Sequence, residues 1–205
     1  MYQKHFKRWL DVVLSICAMF VLIPVFLVIA LCIKMDSRGP VFFLQKRIGI
    51  HKKHFMIIKF RTMRTEAPKG VATHLLENPT QYITRCGSFL RKKSLDELPQ
   101  FFNVLKGDMS IVGPRPALWN QYDLIAMRDE TGANDVLPGI TGLAQVHGRD
   151  EIENDEKAKL DGLYAHNISF MLDAKCFFKT LVKAGSGDGI VEGIKQARQD
   201  TEESQ

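Results

Sequence analysis

The longest run of apolar positions lies near the N-terminus, at residues 9–33, with the sequence WLDVVLSICAMFVLIPVFLVIALCI. A run of this length is enough for a helix to span a bilayer. Pro24 in its middle removes one backbone hydrogen bond, which predicts a kink. Asp11 near its start needs a position at the membrane interface or a polar partner. A cleaved signal peptide is disfavoured because the run is long and no small-residue cleavage site follows it.

Basic residues flank this run on both sides, at Lys4, Lys7, Arg8, Lys34, Arg38, Lys46 and Arg47. A spanning helix normally has an asymmetric distribution of positive charge between its two ends. Charge at both ends fits a re-entrant helix that enters and leaves by the cytoplasmic face, and the residues alone leave an ordinary kinked span equally open. A buried core helix of a soluble protein is the third alternative, and the length of the run disfavours it.

The remaining chain alternates short apolar stretches with polar turns. The apolar runs at 41–45 and 55–60 predict the two strands of a hairpin. Residues 65–80 contain Pro and Gly among polar groups and predict a loop. Apolar positions at helical spacing predict helices at 94–106, 118–128, 155–163 and 172–182. A loop is predicted at 137–142, and a short extended piece at 144–146.

Two interpretations are open for the acidic pair Asp96 and Glu97. Ser94 to Glu97 matches a capping box, in which Ser94 caps a helix and Glu97 completes the cap. In the functional interpretation, the helix N-terminus and a divalent cation hold a substrate phosphate. One carboxylate would then bind the metal while the other attacks phosphorus.

Basic residues near this pair are candidate counter-charges. Adjacent like charges repel, so the acidic pair needs a metal or basic side chains close by. Arg115 lies between Pro114 and Pro116, and this rigid backbone can aim its guanidinium at a phosphate. The other candidates are Lys59, which ends the second predicted strand, Arg91 and Arg149. Each of them, taken singly, also fits a structural or surface role.

Composition narrows the class of protein only in part. The chain has 205 residues, of which 45% are hydrophobic, so it is long enough for one domain with a core. Its net charge of +5 suits nucleic acid, anionic headgroups or phosphorylated substrates without choosing among them. The 4 cysteines form no CxxC pair, which favours a reducing, cytosol-facing location. No GxxxxGK[ST] or GxGxxG motif supports a nucleotide-binding fold of those types.

Several segments together resemble the small monotopic phosphoglycosyl transferases of the bacterial sugar transferase family, the PglC-like group. The matching segments are KRWLD at 7–11, KFRTM at 59–63, SLDELPQ at 94–100 with FNVLKGDMS at 102–110, VGPRP at 112–116, and PGITGLAQV at 138–146 with Gly148 and Arg149. They follow one another in order across nearly the whole chain, and this combination is specific.

The resemblance implies transfer of a sugar-1-phosphate from a UDP-sugar to polyprenol (undecaprenyl) phosphate, with release of UMP, as the first membrane step of bacterial glycoconjugate assembly. It implies a ping-pong mechanism in which Asp96 is the nucleophile and forms a covalent aspartyl phosphosugar. Glu97 is the implied Mg²⁺ ligand. The implied substrate-binding residues are Lys59, Arg91, Pro114, Arg115, Pro116 and Arg149. We expect an N-acetylated amino sugar rather than a hexose, and no nucleic acid polymer as a partner; nothing predicts the oligomeric state.

The resemblance also implies an architecture. Residues 1–35 are expected to form a re-entrant membrane helix broken at Pro24, 36–185 the catalytic domain, and 186–205 a polar tail. The expected fold class is α+β, with a mostly helical globular domain, a small β-hairpin and this membrane helix. The active site is expected at the cytoplasmic face of the bacterial inner membrane.

Two other functions are alternatives to the transferase. One is a non-catalytic scaffold, which predicts that Asp96→Asn has no effect. The other is a UDP-sugar hydrolase, which needs no lipid acceptor.

Overall fold

The computed structural model describes residues 2–68, 79–148 and 152–186. The helices are α1 (Lys7–Asp36), α2 (Arg85–Lys92), α3 (Gln100–Lys106), α4 (Tyr122–Glu130), α5 (Leu143–His147), α6 (Asn154–His166) and α7 (Phe170–Ser186). The strands are β1 (Phe42–Ile48), β2 (His54–Phe60), β3 (Ser110–Val112) and β4 (Gly139–Thr141). A mostly helical α+β fold with a small hairpin is therefore confirmed. The predicted tail lies outside the described residues except for its first position.

Helix α1 is 30 residues long and continues through Pro24 without interruption. At 1.5 Å per residue it measures about 45 Å. The predicted break at Pro24 is therefore not seen in α1, and the re-entrant geometry stays a prediction. By length and composition α1 could cross a membrane. It exposes large apolar side chains, among them Phe20, Val21 and Leu27, and this surface indicates membrane association.

Both ends of α1 are held by the rest of the domain. Asp11, near the N-terminal end, accepts hydrogen bonds from the Ser110 hydroxyl at 2.7 Å and from the Ile111 N–H at 3.1 Å. At the C-terminal end, the Asp36 carboxylate accepts a hydrogen bond from the Cys86 N–H, the second residue of α2, at 2.8 Å. Asp11 thus has the polar partner that its apolar surroundings require.

A buried polar cluster joins the N-terminal end of α1 to α7. Lys7 Nζ lies 2.6 Å from the Asp173 carboxylate and 3.0 Å from the Val112 carbonyl oxygen. The Tyr164 hydroxyl lies 2.7 Å from the same carboxylate and 2.9 Å from the same carbonyl. Val112 ends β3, so this cluster fixes the point from which the chain enters Pro114 and the residues that follow it.

Two small sheets are present among the described residues. Strands β1 and β2 form the predicted antiparallel hairpin, with Phe42 opposite Phe60. Strands β3 and β4 are parallel, with Ser110 opposite Gly139. The assignment of 137–142 to a loop was wrong because a three-residue strand is too short to show alternation. The extended piece predicted at 144–146 was also wrong, since these residues lie inside α5.

The hydrophobic core has a main part between the hairpin and helices α3, α5, α6 and α7. Its buried residues include Phe55, Ile57, Val104, Met109, Val146, Tyr164 and Cys176. A second cluster lies under the C-terminal half of α1, where Ile29 and Ile33 pack against Phe60 and Leu90. This second cluster packs α1 against β2 and α2, which both carry candidate site residues.

Candidate active site

The acidic pair lies on a short 3₁₀ turn, Leu95–Glu97, directly before α3. The helix predicted from residue 94 is divided because Pro99 has no N–H to continue the hydrogen-bond ladder and instead stands at the N-cap of α3. Ser94 is in the left-handed region, with φ of 53°, and its side chain makes no capping hydrogen bond. The capping-box interpretation is therefore wrong.

Glu97 bonds two cations instead of a helix terminus. Lys59 Nζ donates to Glu97 Oε1 at 2.8 Å, which agrees with the choice of Lys59 as a candidate counter-charge for the acidic pair. Arg115 donates from Nη2 to Oε1 at 3.0 Å and from Nη1 to Oε2 at 3.5 Å. Glu97 is only 7% exposed, so these charge-assisted bonds form in surroundings of low dielectric constant.

Asp96 is half-buried beside this ion cluster. Burial raises the pKa of Asp96 above its usual range, while the charges of Lys59, Arg91 and Arg115 act in the opposite direction. The neighbouring charge of Glu97 raises the pKa of Asp96 further. Burial also lowers the pKa of Lys59, against the opposing charge of Glu97. Perturbed carboxyl and ammonium groups in contact are typical of functional sites.

Helix α2 supplies Arg91, and the sequence analysis did not predict this helix. The Thr84 hydroxyl caps it by accepting a hydrogen bond from the Gly87 N–H at 3.0 Å. Arg91 Nε donates to Thr62 Oγ1 at 2.9 Å. A Cβ on Gly87 would lie 2.0 Å from the Thr62 carbonyl oxygen, so only glycine lets α2 lie this close to the end of the hairpin. The N-capping threonine was the local signal that could have located this helix.

The turn around Arg115 is held through the backbone of its two prolines. The Pro114 carbonyl accepts a hydrogen bond from the Gly139 N–H at 2.8 Å. The Pro116 carbonyl accepts one from Arg47 Nη1 at 2.9 Å. Arg47 was not predicted to support the site, and its separation of 69 residues from Pro116 gives no local signal.

The structure therefore brings most of the predicted site together. Lys59, Glu97 and Arg115 form one ion cluster next to Asp96 in the chain, and the charge of Arg91 acts to lower the pKa of Asp96. The two prolines position Arg115. Arg149 lies outside the described residues.

The geometry is compatible with a shared divalent-cation site at Glu97. Its Oε1 atom accepts from Lys59 and Arg115, and its Oε2 atom lies 3.5 Å from Arg115 Nη1. Carboxylate and phosphate oxygens are the ligands that Mg²⁺ prefers. No group of 3 or more His, Cys, Asp and Glu side chains gathers among the described residues. A bound Mg²⁺ would therefore complete its coordination with substrate phosphates and water.

An acidic pair surrounded by cations beside a long apolar helix is typical of a membrane-associated enzyme that acts on phosphorylated substrates. The model of the family described as bacterial sugar transferase matches residues 2–187. The chain belongs to the bacterial sugar transferase family, and the resemblance drawn from its motifs is confirmed.

Individual relatives share the same region. The uncharacterized sugar transferase EpsL of Bacillus subtilis (strain 168) is 40% identical over 185 residues, which cover 90% of this chain and 89% of that protein. The undecaprenyl-phosphate glucose phosphotransferase of Komagataeibacter xylinus is 39% identical over 185 residues, which cover 85% of this chain and 35% of that protein. The UDP-N-acetylgalactosamine-undecaprenyl-phosphate N-acetylgalactosaminephosphotransferase of Aeromonas hydrophila is 39% identical, over 89% of this chain and 44% of that protein. The chain thus spans less than half the length of these last two relatives, whose names include both a hexose and an N-acetylated sugar.

Proposed function

We propose that the chain transfers a sugar-1-phosphate from a UDP-sugar to polyprenol phosphate and releases UMP. The observation that carries this proposal is the placement of Asp96 and Glu97 among Lys59, Arg91 and Arg115, directly against the membrane helix. A nucleophilic carboxylate among cations suits phosphoryl transfer, in which charge develops on the phosphoryl oxygens. The names of relatives that use undecaprenyl phosphate support the same reaction.

Asp96 is the proposed nucleophile. One of its carboxylate oxygens attacks the phosphorus that carries the sugar, and the bond from that phosphorus to the bridging oxygen of UMP breaks. UMP leaves with this oxygen, and an aspartyl phosphosugar remains. An oxygen of polyprenol phosphate then attacks the same phosphorus, which releases the Asp96 carboxylate and forms the polyprenyl diphosphate sugar. Because the two substrates use one site in turn, the kinetics are ping-pong.

The cations have separate parts in this proposal. Arg115 and Arg91 stabilise negative charge on the phosphoryl oxygens, and Lys59 keeps Asp96 ionised for attack. Glu97 holds Lys59 and Arg115 in position. When Mg²⁺ is bound at Glu97, it neutralises charge on the donor diphosphate. Arg149 belongs to this proposal only through the family motif.

We propose the re-entrant topology for α1, with the site at the cytoplasmic face of the inner membrane. What supports it is that Asp11 and Asp36, near opposite ends of α1, both bond to the same domain. Two helix ends that are both bonded to one domain are expected to lie on the same face of a bilayer. Exposed apolar side chains between the two ends provide the lipid-facing surface.

The test is UMP release from a panel of UDP-sugars with Mg²⁺, with and without undecaprenyl phosphate. We expect lipid-dependent UMP release from one donor, an N-acetylated amino sugar, and none from the Asp96→Asn variant. Equal steady-state release without lipid would indicate the hydrolase. No release from any donor, together with normal glycan assembly in cells carrying Asp96→Asn, would indicate the scaffold and refute the proposal.

A further inference from the structure

The β1–β2 hairpin has an exposed face that is largely apolar. Its other face packs into the main core through Phe55 and Ile57. Side chains alternate between the two faces of a sheet, and a face in water normally carries polar residues. Here the exposed positions include three large apolar side chains, Phe42, Leu44 and Met56, which are 43–54% exposed. Apolar side chains that gather on a surface mark a contact site, so this face needs an explanation.

Trp119 extends this face beyond the edge of β1 that lies opposite β2. Leu118 pairs with Arg47 in an isolated antiparallel bridge, which places the next residue beside β1. Lys46 Nζ lies over the Trp119 ring, 5.5 Å from its centroid, and the indole is 39% exposed. We call the resulting surface the outer hairpin face, which consists of Phe42, Leu44, Lys46, Met56 and Trp119.

Aromatic contacts join the outer hairpin face to α1. The rings of Phe42 and Phe60 are stacked, with centroids 5.5 Å apart. Phe60 in turn meets Phe26 of α1 edge-on, with 5.2 Å between the centroids. Phe26 directly precedes Leu27, which is one of the exposed apolar side chains of α1. The apolar surface of α1 therefore adjoins the outer hairpin face.

The charge of the hairpin is complementary to anionic headgroups. Residues 42–60 contain 5 Lys and Arg and no Asp or Glu, and Lys46 and Lys53 are exposed. Tryptophan favours the boundary between headgroups and acyl chains, and a lysine there lays its stem along apolar surface while its ammonium stays in polar surroundings. The contact between Lys46 and Trp119 has this arrangement.

We propose that the outer hairpin face is a second lipid-contacting surface, seated at the headgroup boundary of an anionic bilayer beside α1. The bilayer is the occupant because this face adjoins α1, which is long and apolar enough to cross a membrane, and because the basic hairpin attracts anionic lipid. Lys59 pairs with Phe43 on the opposite face of the same hairpin. The lipid contact thus holds the candidate active site next to the headgroups, whether α1 crosses or re-enters the bilayer.

The test places a single nitroxide spin label at Leu44→Cys or Met56→Cys, in the whole chain without other cysteines. The protein is reconstituted into nanodiscs of phosphatidylcholine and phosphatidylglycerol. Collisions of the label are measured with oxygen, which concentrates in the bilayer, and with neutral nickel–EDDA, which stays in water. We expect both labels to resemble Leu27→Cys on α1. A surface seated at the headgroup boundary is withdrawn from water, so the ratio of oxygen to nickel accessibility should be at least about twofold higher than at the control.

Leu163→Cys on α6 is the matched control. Leu163 is 54% exposed, the same fraction as Leu44. Its neighbours one turn away on α6, Lys159 and His166, are polar and exposed, so it is a single apolar residue on a polar surface. We expect a label at this position to collide freely with nickel–EDDA.

Two results would overturn the proposal. Nickel accessibility at Leu44 and Met56 equal to that at Leu163 would place the face in water. Low accessibility to both oxygen and nickel would show that protein covers it, either a second copy or another segment of this chain.

A measurement without labels uses Trp119, which is the only tryptophan left in the Trp9→Phe variant. Brominated phosphatidylcholine should quench its fluorescence, because bromine quenches an indole only on close approach. Emission that brominated lipid leaves unchanged would contradict the proposal, even if the cysteine-free variants fail to fold. Neither measurement depends on UMP release, so the lipid contact and the proposed function stand or fail separately.

Discussion

Replacing Asp11 by alanine tests whether the N-terminal end of α1 is fixed to the catalytic domain. Asp11 is 4% exposed and accepts hydrogen bonds from two donors on β3, the Ser110 hydroxyl and the Ile111 N–H. Alanine removes both acceptor oxygens and leaves two buried donors without partners. The two-sided attachment of α1, on which the proposed topology rests, would then be weakened at its N-terminal end, where Lys7 still bonds to Asp173.

The expected loss follows from the burial of the two donors. Ser110 is 0% exposed and Ile111 6%, so water cannot replace the carboxylate without local opening. Leaving a buried donor unpaired costs about 1–3 kcal/mol, so the two together cost ~2–6 kcal/mol, and we expect about 4 kcal/mol. For a chain of this size each kcal/mol shifts Tm by about 2–4 °C, which predicts a fall of ~8–16 °C.

Thermal unfolding in detergent, followed by the fluorescence of Trp9 and Trp119, measures this loss. Asp11→Asn keeps an oxygen for the Ile111 N–H, and its amide can donate to the Ser110 hydroxyl, so we expect a loss of only ~1 kcal/mol. Asp123→Ala, at an exposed position in the first turn of α4, is a control that should cost less than about 1 kcal/mol. If Asp11→Ala unfolds within 2 °C of the Asp123→Ala variant, the attachment contributes nothing and the reasoning is refuted.

Three further predictions concern the site and the topology. Asp96→Asn should abolish UMP release. It should also raise Tm at neutral pH. Burial raises the pKa of Asp96 in the folded state, so the ionised aspartate destabilises the fold once the pH rises through that pKa, and asparagine removes this cost. The gain in Tm should disappear below pH ~4, where the aspartate is protonated in both states, and a gain independent of pH would contradict this cause. In a double-mutant cycle of Lys59→Met and Glu97→Gln, the free energies of unfolding should show an interaction energy of ~1–3 kcal/mol. Additive effects would show that the buried ion pair contributes nothing to stability. Single cysteines at Gln3 and Arg38, in a background without other cysteines, should both react only with reagents that enter the cytosol; labelling of either from outside intact cells would reject the re-entrant topology.

The parts of the fold that the sequence predicted are those encoded by continuous local patterns. The apolar run of α1 and the two apolar runs of the hairpin are long enough to define their elements without tertiary information. Contact between Lys59 and Glu97 was also within reach of sequence reasoning, because opposite charges at the end of a strand and on an acidic turn attract each other. The family motifs supplied the proposed roles of these residues, which no local pattern could indicate.

The parts that were missed depend on distant partners. Strand β3 becomes a strand only through pairing with β4, where Ser110 lies opposite Gly139. Helix α2 lies where it does because Gly87 allows contact with the Thr62 carbonyl. The acidic turn took a 3₁₀ form because Pro99 interrupts the helix, and this removed the capping box that the residue types matched.

The contacts of α1 indicate that this long apolar helix supports the candidate active site as well as carrying an exposed apolar surface. Its N-terminal half holds β3 through Asp11, and β3 leads directly into the turn that carries Arg115. The cluster formed by its C-terminal half, which includes Ile33, packs against Leu95 and Leu98 on either side of the acidic pair. One helix therefore supports both the guanidinium and the carboxylates of the site. This helix also carries the exposed apolar surface. In the proposed function it would therefore hold the reacting groups at a fixed depth relative to the bilayer, within reach of both a polyprenol phosphate and a water-soluble nucleotide sugar.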